Sequence, residues 1–483
     1  MSGAHTAGDR APAEPSRLCW RFGPAVPEEG PVRAAIPGAV RMTMGGARPR
    51  GPRPGQLLPE VCSMPSKPSI VVAGGGFAGL ETAFLLHHRM HGAVDITLVS
   101  DRDKFLFRPN TIYVPFGHDW TEFEIPLAHP TDRQHIRFIQ DRVVGLDPVS
   151  KHLELAGQKV HYDKLVLATG ATMRPSEIPG LADHGASIWT PEAMMGFRAA
   201  VERLVERGKA GKATNVLFLI PPNNKCAGPM YELIFMLETY LRRQHARSPI
   251  NLSWTTSEHS FIQAFGPKLH DVVTKEFSER GIHGYVDHVV TEVKDGQVLY
   301  QNGAVFDYDE LFSFPPYIAA VNYPGLPADD RGFIQTEPAS RAVVGVPDVY
   351  APGDGGDFPV KQAFLAFLQA DAVAEHIVAD LRGEAQPRVT FDPVSMCVME
   401  QFDKATFAQV PLRTTGLADR PVEVRPDAGD DYKVGVGPAW RLGKKLLGFY
   451  LPMRFRAGEP FHAGAAWKMM DIGLKGMSGL LAD

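Results

Sequence analysis

A glycine-rich stretch between Ser69 and Leu86 constrains the fold of this chain more than any other part. An apolar run predicts a buried strand, followed by a tight turn and a helix that begins at about Ala78. The turn has the pattern G-x-G-x-x-G, whose glycines allow the turn, the approach of a pyrophosphate and close packing of helix on strand. The helix N-terminus then offers free N–H groups to the phosphates. The predicted dinucleotide contacts are Gly74, Gly76, Phe77, Ala78 and Gly79.

A second apolar strand, Ile96 to Ser100, follows at the distance expected within a βαβ unit. In this class of site an acidic residue at the end of that strand binds the ribose. The position holds Ser100, and Asp101 comes one place later. Either Asp101 makes the ribose contact with a shifted backbone, or the contact differs from the usual one, so both residues are candidates.

Composition and charge exclude several classes of protein. The 483 residues are 44% hydrophobic and carry a net charge of −5, which argues against a general nucleic-acid binder. We find no apolar run of about 18 residues, the length that would predict a spanning helix. Residues 1–63 are rich in Pro, Gly, Ala and Arg without apolar periodicity, which predicts disorder, and they contain no secretory signal. We interpret Met64 as the natural start, which places Cys19 and Cys62 in an upstream extension.

A third buried strand, Asn215 to Ile220, lacks the glycine pattern after it. In flavoproteins that bind two nucleotides, a second such pattern would hold NAD(P)H. The chain instead reads from Pro221 to Pro229, with prolines that have no N–H to donate. The sequence therefore predicts a second Rossmann-like unit without a nicotinamide site.

A cysteine lies in this turn, just before a helix predicted to begin at Pro229. The helix N-terminus and the adjacent Lys225 both favour the thiolate of Cys226, the reactive form of the side chain. Glu232, one turn into the helix, could relay protons or could only compensate the helix dipole. The remaining cysteine is Cys397. A structural disulfide is not expected without secretion, and two isolated buried thiols are the plainer interpretation.

Two later strand ends predict a flavin. Lys164 to Gly170 ends in small residues that let a backbone pass close to a nucleotide. Val349 to Asp354 ends in Gly-Asp, an arrangement that places a carboxylate on the ribitol hydroxyls of FAD. A helix predicted to begin near Val360 would direct donors at the pyrimidine edge of the flavin. The candidate contacts are Thr169, Gly170, Gly353, Asp354, Lys361 and Gln362; Arg108, in an aromatic and basic loop, either borders the flavin ring or lies on the surface.

The tail from Gly437 to Asp483 interleaves aromatic and aliphatic residues with Lys and Arg. Amphipathic segments of this composition lie in a membrane interface, whereas the alternative is a C-terminal helix docked on the core. We expect peripheral attachment to the cytoplasmic face of a membrane, and no metal site.

These motifs together resemble the sulfide:quinone oxidoreductase family of FAD proteins with two dinucleotide-binding domains. The resemblance extends from Pro68 to about Leu481 and is carried by the glycine turn, the Lys-Cys-Ala-Gly-Pro-Met-Tyr-Glu segment, Ala-Pro-Gly-Asp, Phe-Pro-Val-Lys-Gln and the tail. It implies that Cys226 is the first redox cysteine and that Cys397 takes the place of the second. Many members carry a further, earlier cysteine that is absent here.

The resemblance also implies a reaction. Hydrosulfide attacks a Cys226–Cys397 disulfide, and two electrons pass to FAD and then to a membrane quinone. Three other functions share part of this pattern: a type II NADH dehydrogenase, the flavin subunit of a flavocytochrome c sulfide dehydrogenase, and a non-enzymatic flavin-binding membrane redox sensor.

The predicted fold class is α/β, with two Rossmann-like domains and a C-terminal amphipathic, helical, membrane-binding region. The expected divisions are a disordered extension at 1–67, the FAD domain at 68–180 and 311–385, the second Rossmann-like domain at 181–310, and the C-terminal region at 386–483.

Overall fold

The computed structural model describes residues 67–483. The predicted disorder of residues 1–63, the start at Met64 and the two early cysteines lie outside the described residues. Within this range, the predicted α/β architecture with two Rossmann-like units is observed, and a third, antiparallel sheet and two helices complete the C-terminal region.

The helices are α1 (Phe77–Met90), α2 (Arg108–Thr111), α3 (Ala128–Arg133), α4 (Leu181–His184), α5 (Pro191–Lys209), α6 (Gly228–Arg243), α7 (Gly266–Arg280), α8 (Ala363–Arg382), α9 (Pro438–Ala457) and α10 (Gly464–Leu481). The strands are β1 (Ser69–Ala73), β2 (Asp95–Ser100), β3 (Lys104–Leu106), β4 (Glu124–Pro126), β5 (Arg137–Gln140), β6 (Val143–Asp147), β7 (His152–Leu155), β8 (Lys159–His161), β9 (Lys164–Leu167), β10 (Ala171–Met173), β11 (Thr214–Ile220), β12 (Ile250–Thr256), β13 (Ile282–Tyr285), β14 (Val290–Lys294), β15 (Gln297–Tyr300), β16 (Val305–Asp307), β17 (Glu310–Ser313), β18 (Tyr317–Ala319), β19 (Val349–Tyr350), β20 (Val394–Glu400), β21 (Ala405–Thr414), β22 (Val422–Val424) and β23 (Lys433–Gly437).

The first unit is built on a parallel sheet of five strands in the order β19-β9-β1-β2-β5. Its central strand β1 is apolar on both faces, as expected for a parallel sheet that is covered on both sides. Ile70 and Val72 pack with residues of α1 and α8, whereas Val71 and Ala73 pack with residues of β7 and β8. The carboxyl ends of these strands meet at one edge, where open α/β sheets bind their ligands.

The second unit has a parallel sheet in the order β13-β12-β11-β17. The predicted boundary at residue 310 is wrong, because β17 continues to Ser313 and pairs with β11 inside this second sheet. The strand stays there because Phe312 stacks on Phe197, with ring centroids 3.9 Å apart in the core. The chain returns to the first unit only afterwards, through β18, which pairs with β10.

The C-terminal region has an antiparallel sheet in which β20 and β23 flank β21, and β22 pairs with the far end of β21. Helix α9 packs across this sheet, where Trp440 stacks on Phe407 with ring centroids 4.0 Å apart. Tyr450, Phe455 and Trp467 are also buried. The tail is therefore docked on the body of the protein, which was the alternative to its lying wholly in a membrane interface.

One face of each tail helix nevertheless remains exposed and apolar. The exposed side chains are Leu442, Leu446, Phe449 and Met453 on α9 and Met469, Ile472, Leu480 and Leu481 on α10. Four of the tail cations that suggested contact with a membrane instead bind protein groups, namely Arg441, Lys444, Arg454 and Arg456. No helix among residues 67–483 is both long enough and apolar enough to cross a bilayer.

Candidate active site

The glycine turn between β1 and α1 has the close contacts that its pattern predicts. Gly74 has a φ of +123°, and a Cβ there would lie 2.1 Å from the carbonyl oxygen of Ala168. A Cβ on Gly79 would lie 1.8 Å from the carbonyl oxygen of Gly74, so only glycine allows α1 to pack this close. Gly76 faces open space, with no atom within 4 Å of the position of a Cβ. No side chain caps α1, which leaves its first N–H groups available to a phosphate.

The ribose candidates lie at the same sheet edge. Ser100 ends β2 and is buried, and its hydroxyl oxygen accepts the N–H of Arg102 at 3.2 Å. Asp101 is exposed. Thr169 and Gly170 come directly after β9, on the other side of the glycine turn. The roles of these four residues in binding a dinucleotide remain predictions.

The Gly-Asp motif lies directly against the glycine turn. Gly353 and Asp354 form a short 3-10 turn after β19, and a Cβ on Gly353 would lie 2.9 Å from the Cβ of Ala78 in α1. Burial raises the pKa of Asp354, while the charges of Lys361 and Arg108 oppose that rise. Arg108 begins α2 and lines the same cavity as Asp354, so its loop is not only a surface loop.

Gln362 is not a free donor, contrary to the prediction. Helix α8 begins at Ala363 rather than near Val360, because Gln362 is its N-cap residue and is extended. Its side-chain amide donates to the carbonyl of Met396 at 3.2 Å and accepts the hydroxyl of Ser395 at 2.9 Å. Gln362 therefore ties the start of α8 to β20.

Lys361 is also held by the protein. Its ammonium donates to the carbonyl of Gly356 at 2.5 Å and lies 3.9 Å from the centre of the Phe333 ring. Burial lowers the pKa of Lys361 to about 7, although the nearby Asp354 carboxylate favours its charged form. The prediction of a freely placed donor is wrong for this side chain, whose place in the cavity wall is nevertheless confirmed.

The turn that carries Cys226 is held by an asparagine that the sequence analysis did not single out. The side chain of Asn224 accepts the N–H of Cys226 at 3.0 Å and donates to the carbonyl of Phe314 at 2.8 Å. Helix α6 begins two residues after the cysteine, at Gly228. The Asn-Asn pair before Lys225 was the available signal, because asparagine commonly closes such turns with its side chain.

The fold brings the two cysteines to one cavity of about 760 Å³. Cys397 lies on β20, and its Sγ is 3.8 Å from the position that a Cβ on Gly228 would occupy. Both Cys226 and Cys397 are free thiols. The other predicted site residues that line this cavity are Phe77, Arg108, Glu232, Asp354, Lys361 and Gln362.

The surroundings of the thiols oppose ionisation. Burial raises the pKa of Cys226, and the nearby Cys397 and Asp354 raise it further. Burial also raises the pKa of Cys397 to about 12, with Glu232 adding to the rise and Lys444 opposing it. The predicted thiolate at Cys226 is therefore wrong for the free thiol, because the loss of solvent outweighs the helix N-terminus. Burial lowers the pKa of the adjacent Lys225 as well.

Glu232 lies in the second turn of α6, so it does not compensate the helix dipole from the first turn. Its carboxylate accepts the backbone N–H of Glu400 at 3.0 Å and is paired with the ammonium of Lys444. Burial raises the pKa of Glu232, which the charge of Lys444 opposes. Glu232 thus lies in the cavity wall as predicted, but a role in proton relay remains a prediction.

Helix α9 forms one wall of the cavity. Lys444, Leu447, Gly448 and Leu451 line it, at the spacing of one helix face. The face of α9 that carries Leu446 and Phe449 is exposed to the outside of the molecule. The helix is therefore all that separates this part of the cavity from an exposed apolar surface.

Away from the cysteines, one group among the described residues could hold a metal ion. It comprises Glu81, Asp371 and His462, with one ligand atom of each lying within 4.8 Å of the others. Glu81 accepts the backbone N–H groups of Phe461 and His462, and His462 is paired with Asp371. This cluster ties the loop between α9 and α10 to α1 and α8.

Comparison with known proteins agrees with this architecture. Residues 68–203 match the model of the pyridine nucleotide-disulphide oxidoreductase family. The chain is 27% identical over 368 residues to the sulfide-quinone reductase of Aquifex aeolicus, covering 70% of this chain and 82% of that protein. It is 22% identical over 349 residues to the mitochondrial sulfide:quinone oxidoreductase of Mus musculus, covering 70% and 76%.

Solved structures show the same fold. The sulfide:quinone oxidoreductase of Aquifex aeolicus superimposes with a TM-score of 0.71 at 21% identity, covering 84% of this chain and 96% of that one. The NDH2 of Plasmodium falciparum, solved with NADH, superimposes with a TM-score of 0.61 at 12% identity, covering 85% and 98%. The resemblance predicted from the sequence motifs is confirmed.

Proposed function

We propose that this chain is an FAD-dependent oxidoreductase that oxidises sulfide through Cys226 and Cys397 and delivers the electrons to a quinone. The observation that carries the proposal is the meeting of these two cysteines, distant in sequence, in one cavity with Asp354. The relatives named sulfide-quinone reductase support the same substrates.

FAD fits the residues present. The space beside Gly76 and the uncapped N-terminus of α1 suit a pyrophosphate, and Asp354 at the cavity wall suits a ribitol hydroxyl. Phe77 and Arg108 would lie beside the bound group. When bound, FAD supplies two-electron redox chemistry between a sulfur substrate and a quinone.

The cysteines act as the entry point for sulfur. In the oxidised state they form a disulfide, and hydrosulfide attacks one sulfur. A new S–S bond forms, the old S–S bond breaks, and its electron pair remains on the other cysteine as a thiolate. This route produces a thiolate without deprotonating a buried thiol, which the raised pKa values of Cys226 and Cys397 make unfavourable.

Quinone reaches this site from a membrane on which the tail helices rest. The exposed apolar faces of α9 and α10 support interfacial binding, with Phe449 and Ile472 each 70% exposed. The opposite face of α9, at Leu447 and Leu451, lines the cavity. An apolar molecule held at the membrane surface thus has only one helix to pass.

NADH is the less favoured reductant. After β11, Pro221 and Pro222 stand where a second glycine pattern would present N–H donors. A type II NADH dehydrogenase remains the competing function because the fold is shared. The flavocytochrome c subunit and the redox sensor differ in lacking quinone turnover.

The test compares sulfide and NADH as reductants of the purified, membrane-bound holoprotein. We expect sulfide to bleach the flavin and to support quinone reduction, and NADH to do neither. Cys226→Ser and Cys397→Ser should each retain FAD and lose sulfide-driven bleaching, because serine cannot form a disulfide. Rapid bleaching by NADH, or full sulfide activity in either variant, would contradict the proposal.

A further inference from the structure

The tail helix α9 carries two adjacent lysines with opposite environments. The side chain of Lys445 is exposed. The Lys444 side chain is only 14% exposed and points into the body of the protein. Its ammonium pairs with the Glu232 carboxylate and donates to the carbonyl of Val398 at 2.8 Å. Val398 directly follows Cys397 on β20, so Lys444 joins the tail to the strand that carries the second cysteine.

We propose that Lys444 is a positioning residue, which holds Glu232 against β20 and supplies the positive charge that stabilises a thiolate at Cys397. The inference rests on the proposed function, in which a thiolate forms on one cysteine when the disulfide opens. It also means that the helix with the exposed apolar face must be seated for the sulfur site to be complete.

The contacts leave little freedom in this arrangement. Glu232 is 7% exposed, and its remaining bond comes from the backbone N–H of Glu400 at 3.0 Å. The Glu400 carboxylate is itself neutralised by Arg441, one helical turn before Lys444, at 2.7 Å. Two tail cations thus meet two buried carboxylates, and a buried carboxylate that loses its cation is costly.

The charges facing the two cysteines are different. Glu232 raises the pKa of Cys397 and Lys444 lowers it, so the pair acts on this thiol with opposite signs. The charged neighbours that act on Cys226 are Asp354 and Glu232, both of which raise its pKa, together with the Cys397 thiol. Charge therefore favours Cys397 as the cysteine that leaves as a thiolate, with the new sulfur on Cys226. Arg441 and Tyr113 act on Glu400 instead.

The test measures the alkylation rate of each cysteine in the phosphine-reduced holoprotein by mass spectrometry, from pH 6 to pH 10. Neither sulfide nor quinone is needed, so failure of this inference is distinguishable from failure of the proposed function. The variants are Lys444→Met, Glu232→Gln, Lys444→Arg and the control Lys445→Met. The thiolate fraction changes about tenfold for each unit of pKa at a pH below the pKa.

We expect Lys444→Met to slow alkylation of Cys397 at pH 8 by about three- to tenfold, and Glu232→Gln to accelerate it by a similar factor. Lys444→Arg should restore the pH profile, and Lys445→Met should leave it unchanged. A merely structural role would move both variants in one direction, or Cys226 as much as Cys397, and either result overturns the inference. If Lys444→Met does not fold, failure of Glu232→Gln to accelerate Cys397 still overturns it.

Discussion

Two glycines of the same turn should fail in different ways when each is replaced by alanine. A Cβ on Gly79 would lie 1.8 Å from the carbonyl oxygen of Gly74, whereas a Cβ on Gly76 would have no atom within 4 Å. Gly76 also has a φ of −95°, which alanine adopts readily. Gly76→Ala is therefore a test of ligand space alone, and Gly79→Ala is a test of packing between α1 and β1.

The expected magnitudes follow from these contacts. Overpacking costs about 1–3 kcal/mol, and a contact to backbone places Gly79→Ala at or above the upper end. Replacing glycine by alanine inside a helix returns about 1 kcal/mol. The net loss in the free energy of unfolding should be about 2 kcal/mol or more. For Gly76→Ala the change should stay within about 0.5 kcal/mol, as for substitutions that disturb no contact.

The assay is denaturant unfolding of both flavin-free variants beside the unsubstituted flavin-free chain, followed by titration with FAD. Gly76→Ala should keep its unfolding midpoint and bind FAD at least tenfold more weakly, equivalent to about 1.4 kcal/mol, because a methyl group fills the space left for the pyrophosphate. Gly79→Ala should lose stability first. Equal stability of Gly79→Ala and the unsubstituted chain, or unchanged FAD affinity in Gly76→Ala, would refute the reasoning.

Two further predictions concern the attachment of the tail. Burial raises the pKa of Glu81 to about 8 from its ordinary value of 4.5, so the folded state holds a proton that the unfolded state releases between these values. Stability from this group is therefore present at low pH and is lost as pH rises to about 8; Glu81→Gln should flatten that fall in denaturant unfolding at pH 5 and pH 8, and an unchanged slope would contradict it. Phe449→Ser should weaken binding to liposomes while sulfide still bleaches the flavin, because Phe449 is 70% exposed, and undiminished co-sedimentation would place membrane contact elsewhere.

The structure also changes what deletion of the tail would mean. From the sequence, loss of Gly437 to Asp483 is expected to release the protein from membranes and to leave flavin reduction by sulfide mostly intact. Because Lys444 pairs with Glu232 and Leu447 lines the cavity, such a deletion opens the site itself. Single substitutions on the exposed face of α9 separate membrane contact from damage to the site.

Features that depend on neighbouring residues alone were readable in the sequence. The glycine turn is local, because the lack of a Cβ at Gly74 and Gly79 is a property of the residues themselves and the strand and helix adjoin them. The missing second nucleotide turn is equally local, since Pro221 and Pro222 have no N–H wherever they lie. Cys226 ahead of a helix follows from the same short-range rules.

Features that depend on what packs against a residue were decided only by the tertiary structure. Lys444 and Lys445 are identical in type and adjacent in sequence, yet only one meets Glu232, because α9 turns one face to the cavity. Gln362 bonds to Ser395 and Met396 on a distant strand, which no local pattern indicates. The ionisation of the two thiols reversed for the same reason: the sequence shows the charge beside a cysteine, whereas the loss of water around it is set by every segment that closes over the site.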